Sequence, residues 1–301
     1  MKISSQLLAP VVALVAAASL TACGGGGGGT AATPSAGPAA VNTSAPLYSA
    51  LPQAIKDKGS IQVGSDIAYA PMEYYDTDGK TVIGFDKELG DLLATELGVP
   101  VVFNNSTFDG LITQLQSHRF DAAISSMSDT KERQQQVDFV DYYLSGSIMF
   151  VKAGNPNGLQ SVDDLCGKTI SLQRGTTQEE YVTSELSPKC EQAGKGKVTV
   201  MAFDRESEAM LQIEQGRAVA GIQEYPVAVY NTQQSKGKFQ IVGEQVIAGP
   251  LGVAVSKDNT QLRDAVQKAL QAAITDGSYQ KLIDKYQTPQ SAVKQATINA
   301  G

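Results

Sequence analysis

The chain has little positive charge and almost no histidine. Its 24 lysines and arginines stand against 31 aspartates and glutamates, for a formal net charge of −7, and no basic run occurs anywhere. Nucleic acid is therefore excluded as a partner, because phosphate binding needs clustered cations that release counterions. The single histidine, His118, lies in a polar Gln-Ser-His-Arg stretch. It has no triad partner at a readable spacing, and with three cysteines in the whole chain it gives no zinc-site pattern. A Gly-x-Ser-x-Gly nucleophile elbow is missing, and Gly167, Lys168 and Thr169 imitate the end of a phosphate-binding loop whose first glycine is replaced by Val162. The reading predicts no metal, no cofactor and no covalent catalysis.

What is present is an ordinary globular composition, with 42% hydrophobic and 18% charged residues, in a chain long enough for two lobes. Residues 1–22 carry one early cation, Lys2, and an apolar stretch from Leu7 to Leu20 that is too short to span a bilayer and reads as an export signal. Its end, Leu20-Thr21-Ala22-Cys23, resembles the bacterial lipobox, which implies lipidation of Cys23. Residues 23–46 are rich in Gly, Ala, Thr, Ser and Pro, and read as a flexible tether that holds the folded part to the cell envelope through acyl chains. The remaining cysteines, Cys166 and Cys190, are expected to pair in an oxidising compartment.

From Ile61 onward strand-like and helical runs alternate. A strand at Ile61–Gly64 precedes a helix at Phe85–Leu97, with apolar residues at Phe85, Leu89, Leu92 and Leu93 and Asp86 as its cap. A strand at Val99–Phe103, a helix at Phe108–Ser117 and a strand at Asp121–Ser125 continue the rhythm, which predicts an open α/β sheet covered by helices. Ser147–Val151 reads as a crossing strand. A second α/β unit follows, with strands at Thr169–Leu172, Val198–Ala202 and Val219–Gln223 and a helix at Glu206–Gln215. The last third holds a strand at Leu251–Val255 and a helix at Thr260–Thr275, patterned by Leu262, Val266, Leu270 and Ile274. Residues 287–301 are polar, lack a core face and read as a loose tail.

The segment Phe120–Phe139, FDAAISSMSDTKERQQQVDF, concentrates the chemistry. A strand runs into the serine-rich turn Ser125-Ser126-Met127-Ser128 and then into a helix capped by Asp129 or Thr130, with Arg133 in its first turn. A cation at the positive end of a helix calls for an anion between it and the free N–H groups, and a carboxylate matches the planar fork of Arg.

This motif resembles the carboxylate-binding segment of the family 3 extracellular solute-binding proteins, the amino-acid receptors of bacterial ABC importers. The resemblance runs from about Ser60 to Tyr286 and includes Ile61–Gly98, FDGLITQL at Phe108–Leu115 and LCGKTISLQRGTTQEE at Leu165–Glu180. It implies a two-lobe type II periplasmic-binding-protein fold in which residues 47–148 and 247–286 form lobe one and residues 149–246 form lobe two. The two crossovers, near Ser145–Phe150 and Val242–Pro250, are then the hinge.

For the site, the resemblance implies a carboxylate clamp of Ser126, Ser128 and Arg133, completed from lobe two by Gly175, Thr176 and Thr177, with Gln173 beside them. Tyr69 and Phe108 match positions where aromatic rings pack over the ligand's side chain, and Asp66 is placed to accept from a polar or cationic one. The ammonium acceptor of the family, usually Asp, is Glu224 here, one methylene longer. The expected function is an extracytoplasmic, monomeric receptor that binds a polar or basic α-amino acid and delivers it to an ABC permease. Two alternatives stand beside it: a cyclohexadienyl-dehydratase-like enzyme on the same scaffold, with a cleft carboxyl as general acid, and a soluble ligand-sensing module.

Overall fold

In the computed structural model, which describes residues 40–301, apolar spacing decides the two longest helices among those residues. Phe85–Leu97 buries Phe85, Leu89, Leu93 and Leu97 on one face, and Thr260–Thr275 buries Leu262, Val266 and Leu270 on another. Each of these residues recurs three or four positions after the last, so it lies over its predecessor and faces the sheet. Glycine sets the start of the first helix. Gly84 has φ +120°, and a Cβ there would lie 2.3 Å from the Met72 carbonyl oxygen, so no side chain fits. Asp86 is not the cap that its position suggested: Gly84 takes that place, and Asp86 sits fully buried inside the helix.

The main sheet has the order Ala220–Glu224, Val137–Lys152, Phe239–Ser256, Ala122–Ala123, Ile61–Ser65, Val101–Asn105, with Thr297–Ile298 added along Val137–Lys152. Ile61–Ser65 runs parallel to both Val101–Asn105 and Ala122–Ala123, whereas the two long strands run antiparallel. A separate parallel pair is formed by Thr169–Gln173 and Thr199–Phe203.

The two long strands connect two hydrophobic cores. Val137–Lys152 gives Val140, Tyr142 and Tyr143 to a core with Leu89, Leu93 and Val266, and then Met149 and Val151 to a second core with Ile170, Leu172, Val182 and Ile222. Phe239–Ser256 does the same in reverse, with Val242 and Val246 packed on the second core and Leu251, Val253 and Val255 in the first. Their pairing register slips between Val242 and Val246 and again between Val246 and Gly249. Such irregularities bend and twist a ladder locally, and these fall between the two cores. The expected crossing strand at Ser147–Val151 is the second half of this 16-residue strand.

Three further expectations are corrected. The segment after the serine turn is a short 3-10 helix at Arg133–Gln135, not an α-helix capped by Asp129 or Thr130. Lys131, Glu132, Gln134, Gln135 and Gln136 carry no apolar face to bury, so tertiary packing does not support a longer helix there.

Residues 287–301 are not a loose tail. Thr297 and Ile298 pair with Asp141 and Val140, Ala296 and Ser291 are buried, and the Gly301 N–H donates to Asp129 at 2.8 Å. The end of the predicted tether is docked as well, since the Asn42 N–H donates to the Gly98 carbonyl at 2.7 Å and Ala45 is buried. The export signal, Cys23 and the rest of the tether up to residue 39 lie outside the described residues. Among the described residues no helix is long and apolar enough to cross a membrane.

Cys166 and Cys190 form a disulfide, with Cα atoms 5.3 Å apart. It ties the turn after Val162–Leu165 to the helix Ser187–Gln192 at the edge of the second core.

Candidate ligand-binding site

The serine turn is held from below by a carboxylate. Ser126 adopts a left-handed backbone, φ 45°, which is uncommon for a side-chain-bearing residue. Its N–H and hydroxyl both donate to Asp86 Oδ2, at 2.7 and 3.2 Å, while the Tyr142 hydroxyl donates to Asp86 Oδ1 at 2.8 Å. One residue earlier, the Ser125 hydroxyl donates to Glu73 at 2.7 Å and accepts from the Asp66 N–H at 2.9 Å. Burial, and then the neighbouring Asp86 charge, push the Glu73 carboxyl well above the usual carboxylate range. Burial lifts Asp86 to about 6 against the hydrogen bonds of Tyr142, Ser126 and Glu73. The floor under the turn is thus a pair of neighbouring buried carboxyl groups.

Above the turn, the Arg133 guanidinium spans the gap between the two cores. It donates through Nη1 to the Ser128 carbonyl at 3.0 Å and through Nη2 to the Gly175 carbonyl at 2.9 Å, and it lies 5.5 Å from the centre of the Phe108 ring. The Ser128 and Thr177 hydroxyls meet at 3.2 Å. Gly175, at φ +75°, comes so near that a Cβ would lie 2.8 Å from the Asp109 Cβ. Thr176 caps the helix Thr177–Tyr181, accepting from the Glu179 N–H, while its hydroxyl donates to the Gln173 carbonyl.

All ten predicted ligand contacts, Asp66, Tyr69, Phe108, Ser126, Ser128, Arg133, Gln173, Thr176, Thr177 and Glu224, line one cavity. Glu224 is 5% exposed and accepts from Gln178 at 2.9 Å through Oε1, whereas its Oε2 is buried without a hydrogen-bond partner. Burial pushes its carboxyl up, while Ser145, Gln178, Ser147 and the Arg133 charge pull it back. A buried carboxylate oxygen left unpaired is costly unless a donor reaches it. The cavity therefore offers a cationic fork on one side and an unsatisfied acceptor on another.

The description of the bacterial extracellular solute-binding proteins, family 3, matches residues 61–289. The chain belongs to this family. Among its relatives, the lysine/arginine/ornithine-binding periplasmic protein of Escherichia coli (strain K12) is 32% identical, over 82% of this chain and 92% of that protein. Solved structures of an ancestral arginine-binding protein, one bound to arginine and one bound to glutamine, each match with a TM-score of 0.70 and 36% identity, covering 76% of this chain and 98% of theirs. The two-lobe type II fold of the family is the fold of this chain.

The cavity also contains family-region residues that the sequence reading passed over. Glu73, Ser125 and Gln178 line it, and Arg205 reaches its edge by an ion pair with Asp66. Gln178 stood in the quoted Gly-Thr-Thr-Gln run and was legible there. Glu73 and Arg205 were not: a lone acid in Met-Glu-Tyr-Tyr and a cation before a helix look like surface residues until the lobes are placed. Among the described residues no group of three His, Cys, Asp or Glu is arranged to hold a metal ion.

Proposed function

We infer that this family 3 protein is an extracytoplasmic receptor that captures a polar or basic α-amino acid between its lobes and delivers it to an ABC permease. The observation that carries this reading is the pairing, within one cavity, of the Arg133 fork with the unpartnered Glu224 oxygen. An α-amino acid is a zwitterion that fits both: its carboxylate goes to Arg133, Ser128 and Thr177, and its ammonium to Glu224. The longer Glu reaches the place that Asp commonly fills in the family. Relatives named for arginine, lysine and ornithine, and a solved relative bound to glutamine, support the substrate class.

Closure follows from the same division of groups. In this reading residues 47–148 and 247–286 act as one lobe and residues 149–246 as the other, with hinges at Ser145–Phe150 and Val242–Pro250. Each ligand contact that spans the cleft favours the closed state, since neither half-site is complete alone. We further place the mature protein as a monomer on the outer side of a membrane, held by lipid on Cys23. Metabolic labelling with palmitate tests the anchor: label in the wild type and none in Cys23→Ala is expected, and label in both contradicts it.

Equilibrium dialysis of the ligand-stripped protein against labelled amino acids tests the receptor. Micromolar or tighter retention of one compact group, lost in Arg133→Ala, is expected. Retention of none, or retention untouched by Arg133→Ala, overturns the reading.

A further inference from the structure

Four charged residues line the cavity: Asp66, Glu73, Arg133 and Glu224. If the receptor reading above holds, Arg133 and Glu224 take the two charges of the ligand's head group. Glu73 is 0% exposed and is taken up by the Ser125 hydroxyl beneath the serine turn. The acid left to meet the ligand's far end is Asp66, and a cation stands beside it. Asp66 is 2% exposed, accepts from the Gln173 amide and forms an ion pair with Arg205.

Arg205 comes from the other side of the cleft. It stands just before the helix Glu206–Glu214, which packs against the strand Thr169–Gln173, and its Nη1 also donates to the Ser106 carbonyl at 3.1 Å. Gln173 donates to both Asp66 and the Asp204 carbonyl, and its side-chain oxygen has no protein partner among the described residues. The Tyr69 oxygen accepts from the Glu224 N–H at 3.4 Å, which leaves its proton to be donated. Beside the head-group residues the lining therefore offers one free acceptor, the Gln173 oxygen, and one free donor, the Tyr69 hydroxyl, with the Asp66 charge met by Arg205.

We propose that Arg205 is a specificity-determining residue: by taking up the charge of Asp66 it makes the distal end of the cavity neutral, and so selects an α-amino acid whose side chain is uncharged and hydrogen-bonding, such as an amide or a urea. A cationic side chain would bury a charge with no free counter-charge, and breaking the Asp66–Arg205 pair to supply one would strand the guanidinium at the cleft edge. An amide or urea meets the Gln173 oxygen with its N–H and the Tyr69 hydroxyl with its C=O.

Arginine and citrulline have the same length and differ at the terminal group in one charged nitrogen against a neutral oxygen, so calorimetric titration with this pair, and with glutamine, isolates the point. The wild type is expected to bind citrulline or glutamine at least ten-fold tighter than arginine. Arg205→Ala is expected to reverse the order by freeing Asp66, and Arg205→Lys to keep it. If the wild type prefers arginine and Arg133→Ala still abolishes binding, the receptor reading stands and this inference falls. An Arg205→Ala variant that folds and keeps the wild-type order also overturns it. Binding of no amino acid at all removes the receptor reading and this inference together.

Discussion

Asp86 shows how much of a binding site can rest on a residue that touches no ligand. Its two oxygens take three hydrogen bonds, from Ser126 twice and from Tyr142 once, and these hold Ser126 in a left-handed conformation. Asp86→Asn puts an amide against at least one of those donors. It is expected to cost about 1–3 kcal/mol of stability and to weaken ligand binding as well, read by denaturant titration and calorimetry on the same sample; unchanged values in both would contradict this role. Arg133→Lys keeps the charge but not the fork. A loss of about 1–3 kcal/mol of affinity is expected, because a single ammonium cannot make both planar contacts.

Arg133, the serines and Glu224 line one cavity, and it was the family resemblance that had grouped them. The partnership of Asp86 with the turn was not legible in the sequence, since it joins residues 40 positions apart through a buried helix.

At the level of elements, the long helices and the parallel strands were legible because apolar spacing encodes them. Phe85–Leu97 and Thr260–Thr275 begin and end where the periodicity does. The C-terminal segment was misread for a physical reason. Its attachment is polar: Thr297 and Ala300 donate to Asp141, Asn299 to Asp138 and Gly301 to Asp129, and hydropathy does not register such bonds. Deleting residues 297–301 removes an edge strand and leaves Asp141 and Asp129 without these donors. A loss of about 1–3 kcal/mol or more is expected in urea unfolding, and an unchanged midpoint would contradict the docking. The Cys166–Cys190 bridge closes a separation of 24 residues. Replacing both cysteines by serine is expected to destabilise by about 3 kcal/mol on the chain-entropy account, visible in the same assay, and equal stability would show that the bridge constrains little.

For the whole molecule, buried acids without cationic partners set the response to pH. Burial raises Glu206 to about 8, only partly opposed by the hydrogen bond from Gln223, and raises Asp86 and Asp141 to about 6. A carboxyl whose folded pKa lies above its unfolded value holds its proton longer in the native state. Its contribution is complete below the unfolded pKa, about 4, and is lost as pH rises through the folded value. Asp138 has the opposite sign: burial pushes it up, but Asn299, Lys257 and Arg263 more than offset this and hold it below the usual range, so its contribution fades only in acid. The unliganded protein is therefore expected to melt at a higher temperature at pH 5 than at pH 8, and Glu206→Gln to flatten the upper part of that slope. A Tm equal at both values, or higher at pH 8, would contradict the assignment.

The same scale holds the contacts between the two long-strand cores. Val227, in the helix Tyr225–Gln234 that follows Glu224, is buried in the first core, and Tyr230 of that helix packs 6.1 Å from Tyr74. The residue assigned to the ligand's ammonium is thus followed directly by a helix that packs on the first core.

The central claim is that Arg133 and Glu224 hold the carboxylate and ammonium of one zwitterion. The most direct measurement is calorimetric titration of the ligand-stripped protein with its tightest-binding amino acid, the methyl ester of that amino acid and its deaminated analogue. Each modification is predicted to weaken binding by about thirty-fold or more, since each leaves a buried charge without its partner. An ester or a deaminated acid that binds as tightly as the parent would contradict the account.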